Sequence, residues 1–475
     1  MYQINKDFHS YYRYNVLGMM LDKELEEGMK LVNEGNQGKI FPTLNSLDNP
    51  SKVIDWGQNK EFIHINALTL KYKTIKKVRV AQISCTLSYT PRACPNCGVI
   101  NRGQILKYGF YQAKHKYGQF RAQPLMLLVK TQRFQCPDCH TTFNATSYLF
   151  EHQRTISRDL KREIILRLTR IQTIKDIAHD LFISEASVQR VLLDLADQYK
   201  PNLNYLPETL CIDEFKSMRS AKGKMSFIAV DGDRSCLFEL LEDRRLRSLF
   251  KHYQQFTRRA RCRVKYLVMD MNAAYDQLVK TVFPCAQIIY DRFHIAKHLN
   301  DTMNHVRIHV FNRLRKGDSA EQKQARRLKH YWRLFLQDRE NLSTKLYYEG
   351  RYFNRVVNSM IILDLMLGYD QELRATYNFI QSLKHAYNQR DFTTFFQLLK
   401  LRPDSVSHYT IHRCQVLARY KEGIKRGFET KFSNGRTEGI NNRIKTIKRV
   451  ACGYRYFTAF KTRIYLIIGH QIQTN

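Results

Sequence analysis

At 475 residues, 43% of them hydrophobic, the chain is long enough for two to four domains with sizeable cores. It carries 78 Lys and Arg against 43 Asp and Glu, a net charge of +35, which attracts polyanions and goes far beyond what solubility requires. No apolar stretch is long enough to span a bilayer, Met1 to Ser10 lack a signal-peptide core, and no lipidation motif or basic amphipathic anchor stands out, so the composition argues against a membrane partner and for a cytoplasmic one of nucleic-acid type.

The charge is uneven. Residues 61–142 hold 13 basic against 2 acidic side chains and residues 299–475 hold 32 against 14, whereas 1–60 (7 against 8) and 143–205 (9 against 8) are nearly neutral. Residues 1–60 read as a weakly organised leader, with a short helix at Leu21 to Val32 and a turn-rich stretch from Gly35 to Pro50. Residues 61–150 alternate in period two and read as a small β module, with strands at Phe62 to Ile65, Lys77 to Ala81, Lys107 to Phe110 and Gln123 to Phe134. Within it lie Cys94-Pro95-Asn96-Cys97 and Cys136-Pro137-Asp138-Cys139, separated by 38 residues. The other seven of the 11 cysteines are scattered, so this is no disulfide framework. Each C-x-x-C turn brings two thiolates onto one ion, and Cys94, Cys97, Cys136 and Cys139 are the expected ligands of a structural Zn²⁺ that folds the module without doing chemistry.

Residues 151–205 are helical in period. A turn beginning at Ile174 breaks at Leu181 to Ile183, and Ser184 is a suitable N-cap for a second helix, Glu185 to Leu195. Apolar Ile177, Leu181, Ile183, Val188 and Val191 with small Ala178 fit a helix-turn-helix, although Phe182 stands where the turn often has glycine. Its second helix would present Ser187, Gln189 and Arg190 to a major groove.

Residues 206–298 change to buried-strand patterns. Thr209 to Ile212 runs into Asp213-Glu214, Phe227 to Val230 into Asp231, Cys236 to Leu240 follows, Val264 to Met269 runs into Asp270, and Gln287 to Tyr290 into Asp291. Three strands followed by alternating helix and strand is the order of an RNase H-like core. Residues 299–430 are Arg-, Lys- and Gln-rich and helical in period, and read as an all-helical insertion. Tyr331 and Trp332 inside it are expected mainly to pack, their other reading being to stack on a flipped or terminal base. Residues 431–475 return to short elements: a turn at Phe432 to Gly435, then a helix through Thr437-Glu438 to Lys448.

Cutting and joining phosphodiesters requires an activated nucleophilic oxygen and a stabilised leaving oxygen, which two divalent ions about 3.5–4 Å apart supply from a cluster of carboxylates. Mg²⁺, or Mn²⁺, takes hard oxygen ligands. Asp213 on the opening strand, Asp270 at the end of a strand expected beside it, and Glu438 on the returning helix fit these roles. Glu214, Asp231 and Asp291 compete, but Asp231 ends a strand expected to run antiparallel and to point to the other end of the sheet. Asn441, Arg443, Lys445, Lys448 and Arg449 follow Glu438 and are expected to reach phosphates near the cut.

The two C-x-x-C pairs, Ile212-Asp213-Glu214-Phe215, Val268-Met269-Asp270-Met271-Asn272, Tyr290-Asp291-Arg292-Phe293-His294, and Asn434-Gly435-Arg436-Thr437-Glu438-Gly439-Ile440-Asn441-Asn442 resemble, from about residue 60 to the C-terminus, the ISL-three family of bacterial insertion-sequence transposases. The resemblance implies a DDE triad of Asp213, Asp270 and Glu438 with Mg²⁺. It also implies a zinc module and helix-turn-helix that bind terminal inverted repeats, a nucleoid-associated protein, and a homodimer or larger assembly on double-stranded element and target DNA. Asp291-x-x-His294 resembles a motif that places a histidine near the scissile phosphate, where His294 would position or protonate an oxygen; its other reading is a helix-start histidine bonded to Asp291.

The resulting expectation is a multidomain α+β protein: leader 1–60, zinc-binding module 61–150, helix-turn-helix 151–205, catalytic core 206–298 and 431–475, and helical insertion 299–430. Its competitors are a non-catalytic zinc and helix-turn-helix regulator, and an RNase H-like nuclease that cleaves without joining.

Overall fold

A computed structural model of the chain describes residues 63–65, 71–75, 77–120, 122–151, 153–197 and 199–469; the expected leader and its short helix lie outside them. Two compact units divide the chain, Met1–Lys200 with Ile444–Asn475, and Pro201–Arg443.

In the first unit, strands β1 (Ile63–Ile65), β2 (Lys71–Ile75), β3 (Val78–Leu87), β4 (Leu106–Phe120), β5 (Gln123–Gln135) and β6 (Thr142–Asn144) form one sheet in the order β1-β3-β5-β4, with β2 also on β3 and β6 also on β5. Alternate residues of a strand share a face. Ala81, Ile83, Cys85 and Leu87 of β3 are therefore buried together, opposite Leu125, Leu127 and Val129 of β5, in a parallel register that pairs Ile83 with Leu127. Strand β4 is far longer than the Lys107 to Phe110 segment expected from sequence. Its first seven residues are all exposed, so no apolar alternation marks its length.

Three helices follow, α1 (Arg158–Leu168), α2 (Ile174–Asp180) and α3 (Glu185–Ala196). Ser157, Thr173 and Ser184 cap them, each side chain accepting a backbone N–H two or three residues into the helix, at about 1 kcal/mol per cap. The apolar set read from the sequence is inside: Ile177, Ala178, Leu181, Val188 and Val191 are buried, and Ile183 packs half-buried against them. Phe182 adopts φ +54° at the turn, a left-handed conformation that costs a non-glycine residue roughly 1–2 kcal/mol. The helix Phe457–Ile468 packs on α3 and α1. Its Arg463, 1% exposed, donates to the carbonyl oxygens of Arg170 at 2.9 Å and Gln172 at 2.6 Å.

In the second unit, β7 (Thr209–Lys216), β8 (Met225–Asp231) and β9 (Cys236–Leu241) form an antiparallel meander. Helices α4 (Leu246–Tyr253) and α5 (Arg258–Arg263) lead to β10 (Tyr266–Met269), which lies parallel beside β7. Helix α6 (Ala273–Val282) leads to β11 (Gln287–Tyr290), parallel beside β10, giving the order β11-β10-β7-β8-β9. Parallel neighbours need such crossovers, and the near-continuous apolar runs of β8 and β10 match strands covered on both faces.

From there the chain is mainly helical: α7 (Arg292–Leu314), α8 (Ser319–His330), α9 (Ser359–Leu367), α10 (Gln371–Asn388), α11 (Phe392–Lys400), α12 (His408–Arg419) and α13 (Lys421–Glu429). Between α8 and α9, where helix is expected throughout, the chain instead forms a two-stranded hairpin, Tyr348–Glu349 against Val356–Val357. Helix α13 approaches β11 through glycine: a Cβ on Gly423 would stand 2.4 Å from the Tyr290 ring. Helix α14 (Gly435–Val450) follows. Among the described residues, no helix is long and apolar enough to cross a membrane.

Candidate active site and metal centres

The two C-x-x-C turns fold alike. The fourth residue after the first cysteine, Gly98 in one and His140 in the other, has positive φ (76° and 56°). The turns close through backbone bonds, Gly98 N–H to Cys94 O at 2.9 Å and Cys136 N–H to Thr141 O at 3.0 Å. They face each other, so that Cys94 Sγ lies 3.7 Å from Cys139 Sγ and Cys97 Sγ 3.7 Å from Cys136 Sγ, with all four sulfurs within 4.8 Å. Four thiolates at about 2.3 Å from a tetrahedral zinc stand about 3.8 Å apart. The cluster fits that ion in ligand type, number and spacing.

In the second unit the sheet register does the assembling. Val268 of β10 pairs with Cys211 of β7, and Met269 with Tyr290 of β11. Two residues past Val268, Asp270 is therefore level with Asp213, and one past Met269 it is level with Asp291. Three carboxylates stand in a row across three neighbouring strands spaced about 4.8 Å apart. Helix α7 starts directly after Asp291 and brings His294 back over the row: its Nδ1 lies 2.5 Å from Asp270 Oδ1 and 3.2 Å from Asp291 Oδ2. Only the contact to Asp291 is aligned as a hydrogen bond, so Asp270 Oδ1 is close to the ring but poorly satisfied by it.

Helix α14 reaches the same row from the far end of the chain. Asn434, just before it, donates from Nδ2 to the carbonyl oxygen of Ile212 at 3.0 Å and from its backbone N–H to Asp291 Oδ1 at 3.1 Å. Asn441 donates from Nδ2 to Asp213 Oδ2 at 2.6 Å. Residues 434, 438 and 441 recur at helical spacing on one side. Glu438 thus comes between two residues bonded to Ile212 and Asp213, and its side chain is exposed.

Electrostatics at the row are those of crowded acids. Burial pushes the Asp213 carboxyl up to about 6, against a hydrogen bond from the Glu214 backbone N–H, and the neighbouring Asp270 charge adds to the rise. Burial disfavours a charged His294, but its contacts with Asp270 and Asp291 prevail and raise the imidazole to about 9. A hard divalent cation needs such clustered oxygens, and two carboxylates whose charges oppose each other fit one.

Two of the three competing acids are placed elsewhere. Glu214, on the opposite face of β7, accepts from Tyr275 Oη at 2.5 Å and pairs with Arg244. Asp231 is opposite Leu210 in the β7–β8 register, and its Oδ1 accepts the Asp233 and Arg234 backbone N–H groups of a turn. Asp291, counted from sequence among the competitors, joins the row instead.

Of the residues expected to meet DNA, Gln189, Arg190, Arg443, Lys445 and Arg449 are exposed and Lys448 is half-buried. Ser187 is half-buried with its hydroxyl 2.9 Å from Ser184 Oγ. Asn441, expected to reach a phosphate, is 4% exposed and turned to Asp213, because it sits on the helix face that packs on β7. Sequence reasoning offered the His294–Asp291 bond but missed the part played by Asn434 and the place of Asp291 level with Asp270. The matching endings of β10 and β11, an apolar run closed by Asp, were the available signal for the latter.

Residues 210–464, more than half of the chain, match the sequence profile of ISL3-type DDE proteins described as transposase. The chain belongs to the ISL3 transposase family. That bears out the resemblance to the ISL-three family carried by its motifs. The transposase for insertion sequence element IS1001 of Bordetella parapertussis is 28% identical over 215 residues, 43% of this chain and 47% of that protein. A Lactococcus lactis subsp. lactis protein named ATP-dependent protease is 32% identical over 133 residues, 27% of this chain and 42% of that protein. The chain thus matches less than half the length of either curated relative.

Proposed function

We propose that this transposase binds the terminal inverted repeats of an insertion sequence and carries out metal-dependent strand cleavage and strand transfer. In this reading the second unit is an RNase H-like core whose 299–430 insertion is mainly helical. The first unit supplies a zinc-binding module and a helix-turn-helix, α2 and α3, for DNA ends. The observation that carries the reading is the level placement of Asp213 and Asp270 on adjacent parallel strands, with the Glu438 helix bonded to the same strand by Asn434 and Asn441.

Asp213, Asp270 and Glu438 would hold Mg²⁺ or Mn²⁺, which when bound supplies charge stabilisation for the attacking and leaving oxygens. Asn441 Nδ2 holds Asp213 Oδ2 and the Glu214 backbone N–H holds Oδ1 at 2.7 Å, so together they orient the carboxylate. His294, charged between Asp270 and Asp291, offsets their repulsion and carries a proton within the row. Exposed Arg443, Lys445 and Arg449 on α14, with Lys448, and Gln189 and Arg190 on α3, would meet phosphates and bases of double-stranded DNA. Ends are joined in pairs, so two copies would act together on DNA.

The test uses duplexes carrying the ends of the element that encodes the chain. The wild type with Mg²⁺ is expected to nick them and join their 3′ ends to a target duplex. Asp270→Asn should lose both steps by roughly 10³-fold or more, the scale of about 4 kcal/mol of transition-state stabilisation, and still bind the ends. Undiminished cleavage by Asp270→Asn would remove the assignment. Cleavage without joining by the wild type would leave a nuclease, and binding with neither would leave a regulator.

A further inference from the structure

The hairpin between α8 and α9 is used by nothing in the chemistry above, and its surface is unusual. Within residues 346–356, five large apolar or aromatic side chains stand out to solvent: Leu346 at 68%, Tyr347 at 56%, Tyr348 at 37%, Tyr352 at 39% and Val356 at 60%. Single exposed apolar residues are ordinary, but a contiguous group marks an interaction site.

The hairpin is built rigidly enough to present them. Asn358 Nδ2 donates to Thr344 O at 2.8 Å across its base. Its tip closes through Gly350 N–H to Arg355 O at 3.1 Å and Phe353 N–H to Gly350 O at 2.9 Å. A Cβ on Gly350 would lie 2.5 Å from Val357 Cγ2, so the tip admits no side chain there. Arg327 of α8 anchors the tip from below, donating to Tyr352 O at 2.9 and 2.7 Å with its guanidinium 4.4 Å from the Phe353 ring centre. Phe353 and Val357 turn inward, leaving the tyrosines outward.

The charge says what would cover this surface. Residues 341–363 contain Lys345, Arg351 and Arg355 and only one acid, Glu349. All four are exposed, and no ion pair of the three cations is found among the described residues. Arg351 instead lies 5.3 Å from the Tyr352 ring centre. Flat exposed rings interleaved with unpaired cations are what unpaired nucleic acid takes: bases stack on the rings and phosphates meet the cations. A protein partner of ordinary composition would have to bring its own acids to this face.

The site is separate from the carboxylate row. Helix α8 runs back along α7, with Arg307 Nη1 donating to Leu328 O at 2.9 Å. Arg307 is thirteen residues from His294 along α7, about 20 Å at 1.5 Å per residue.

We propose that the hairpin from Lys345 to Val356 is a stacking platform for unpaired bases of the DNA substrate, with Tyr347 and Tyr352 as the stacking rings. The proposal rests on the DNA-processing reading above and extends it to single-stranded or locally opened DNA.

The test is fluorescence anisotropy with the full chain on a 20-nucleotide single strand of mixed sequence and on the duplex of the same sequence. Tyr347→Ala with Tyr352→Ala is expected to weaken single-strand binding by roughly 5- to 150-fold for each base unstacked, leaving duplex affinity within twofold. Tyr347→Phe with Tyr352→Phe should retain both affinities. Unchanged single-strand affinity, or an equal loss on both probes, overturns the platform. So does a drop in sedimentation mass with single-strand affinity intact, which would make the face a contact between copies. Wild-type chain that binds neither probe instead rejects the DNA reading itself. Should the double substitution unfold the chain, photocrosslinking of wild type to a bromodeoxyuridine-substituted strand decides: crosslinks within residues 345–356 are expected, and their absence overturns the proposal.

Discussion

The four-cysteine cluster and the carboxylate row are both groups of acids held within ligand distance, yet they are made in opposite ways. Each half of the cysteine cluster is a turn of a few residues with the same left-handed fourth position, so half of the site exists wherever the local sequence does. The row has no local half. Asp213, Asp270 and Asp291 meet only because two parallel registers bring three strands level, and Asn434 and Asn441 arrive from more than 220 residues beyond Asp213. The cysteines, once gathered, would be held by their ion. The carboxylates repel one another before any ion arrives, and the fold bears that cost through Asn441, Asn434 and His294.

Three experiments sharpen the contrast. The largest effect belongs to the cysteines. Cys97→Ser, or a strong chelator, should reduce zinc from about one ion per chain to none by elemental analysis and abolish the melting transition of the β module, since metal binding there is folding free energy. A Cys97→Ser protein that keeps its zinc and its melting profile would break the comparison. Next is Asn441→Ala, which should lower strand-cleavage rate by roughly 10- to 100-fold, the usual cost of losing an outer partner of a metal ligand. It should raise the Mg²⁺ concentration needed for half-maximal rate in the same measurement, while zinc content and end binding stay unchanged. A rate within twofold of wild type would mean that Asp213 needs no orientation.

The smallest effect is on pH. A carboxyl raised in the folded state to about 6 favours the protonated folded form, so without metal the Asp213 contribution to stability is full below about 3.9, the ordinary value for an Asp side chain, and is lost as pH rises through about 6. A divalent ion binds the ionised form and reverses that slope. The rise in melting temperature on adding Mg²⁺ should therefore be slight at pH 5 and grow above pH 6, and Asp213→Asn should flatten it. Equal rises in wild type at pH 5 and pH 7.5 would contradict the assignment of Asp213 to the ion.

What could be read in the sequence follows the same division. Paired cysteines, Ser184 as a cap and the apolar set from Ile177 to Val191 depend on neighbours in sequence, and they were legible as such. Asp213 and Asp270 were legible because a strand that ends in an acid advertises itself. Asp291 was legible as the partner of His294 three residues on, but counted only as a competitor of the two acids, since its level with Asp270 depends on the β10–β11 register. Asn441 was read with the cations after Glu438 because Lys445 and Lys448 share its helical face; only its contact with Asp213 sets it apart. Its partner is 228 positions away, and no sequence window contains both. The hairpin at Tyr348–Val357 was hidden because its two-residue strands carry no periodicity.

Asp291 is held from both directions, by His294 at the entrance to the helices and by the Asn434 backbone where they end. A ribosome adding roughly 5–20 residues per second takes about ten to thirty seconds to pass from Asp270 to Glu438. For most of that interval the nascent chain already has its cysteine turns, Asp213, Asp270 and Asp291, but neither Glu438 nor Asn434 to close the clasp. A chain broken off anywhere in those 168 residues can keep the parts proposed to hold DNA while lacking a part proposed to cut it. If Glu438 belongs to the cutting site as proposed, the order of the residues along the chain makes finishing synthesis a condition for cutting.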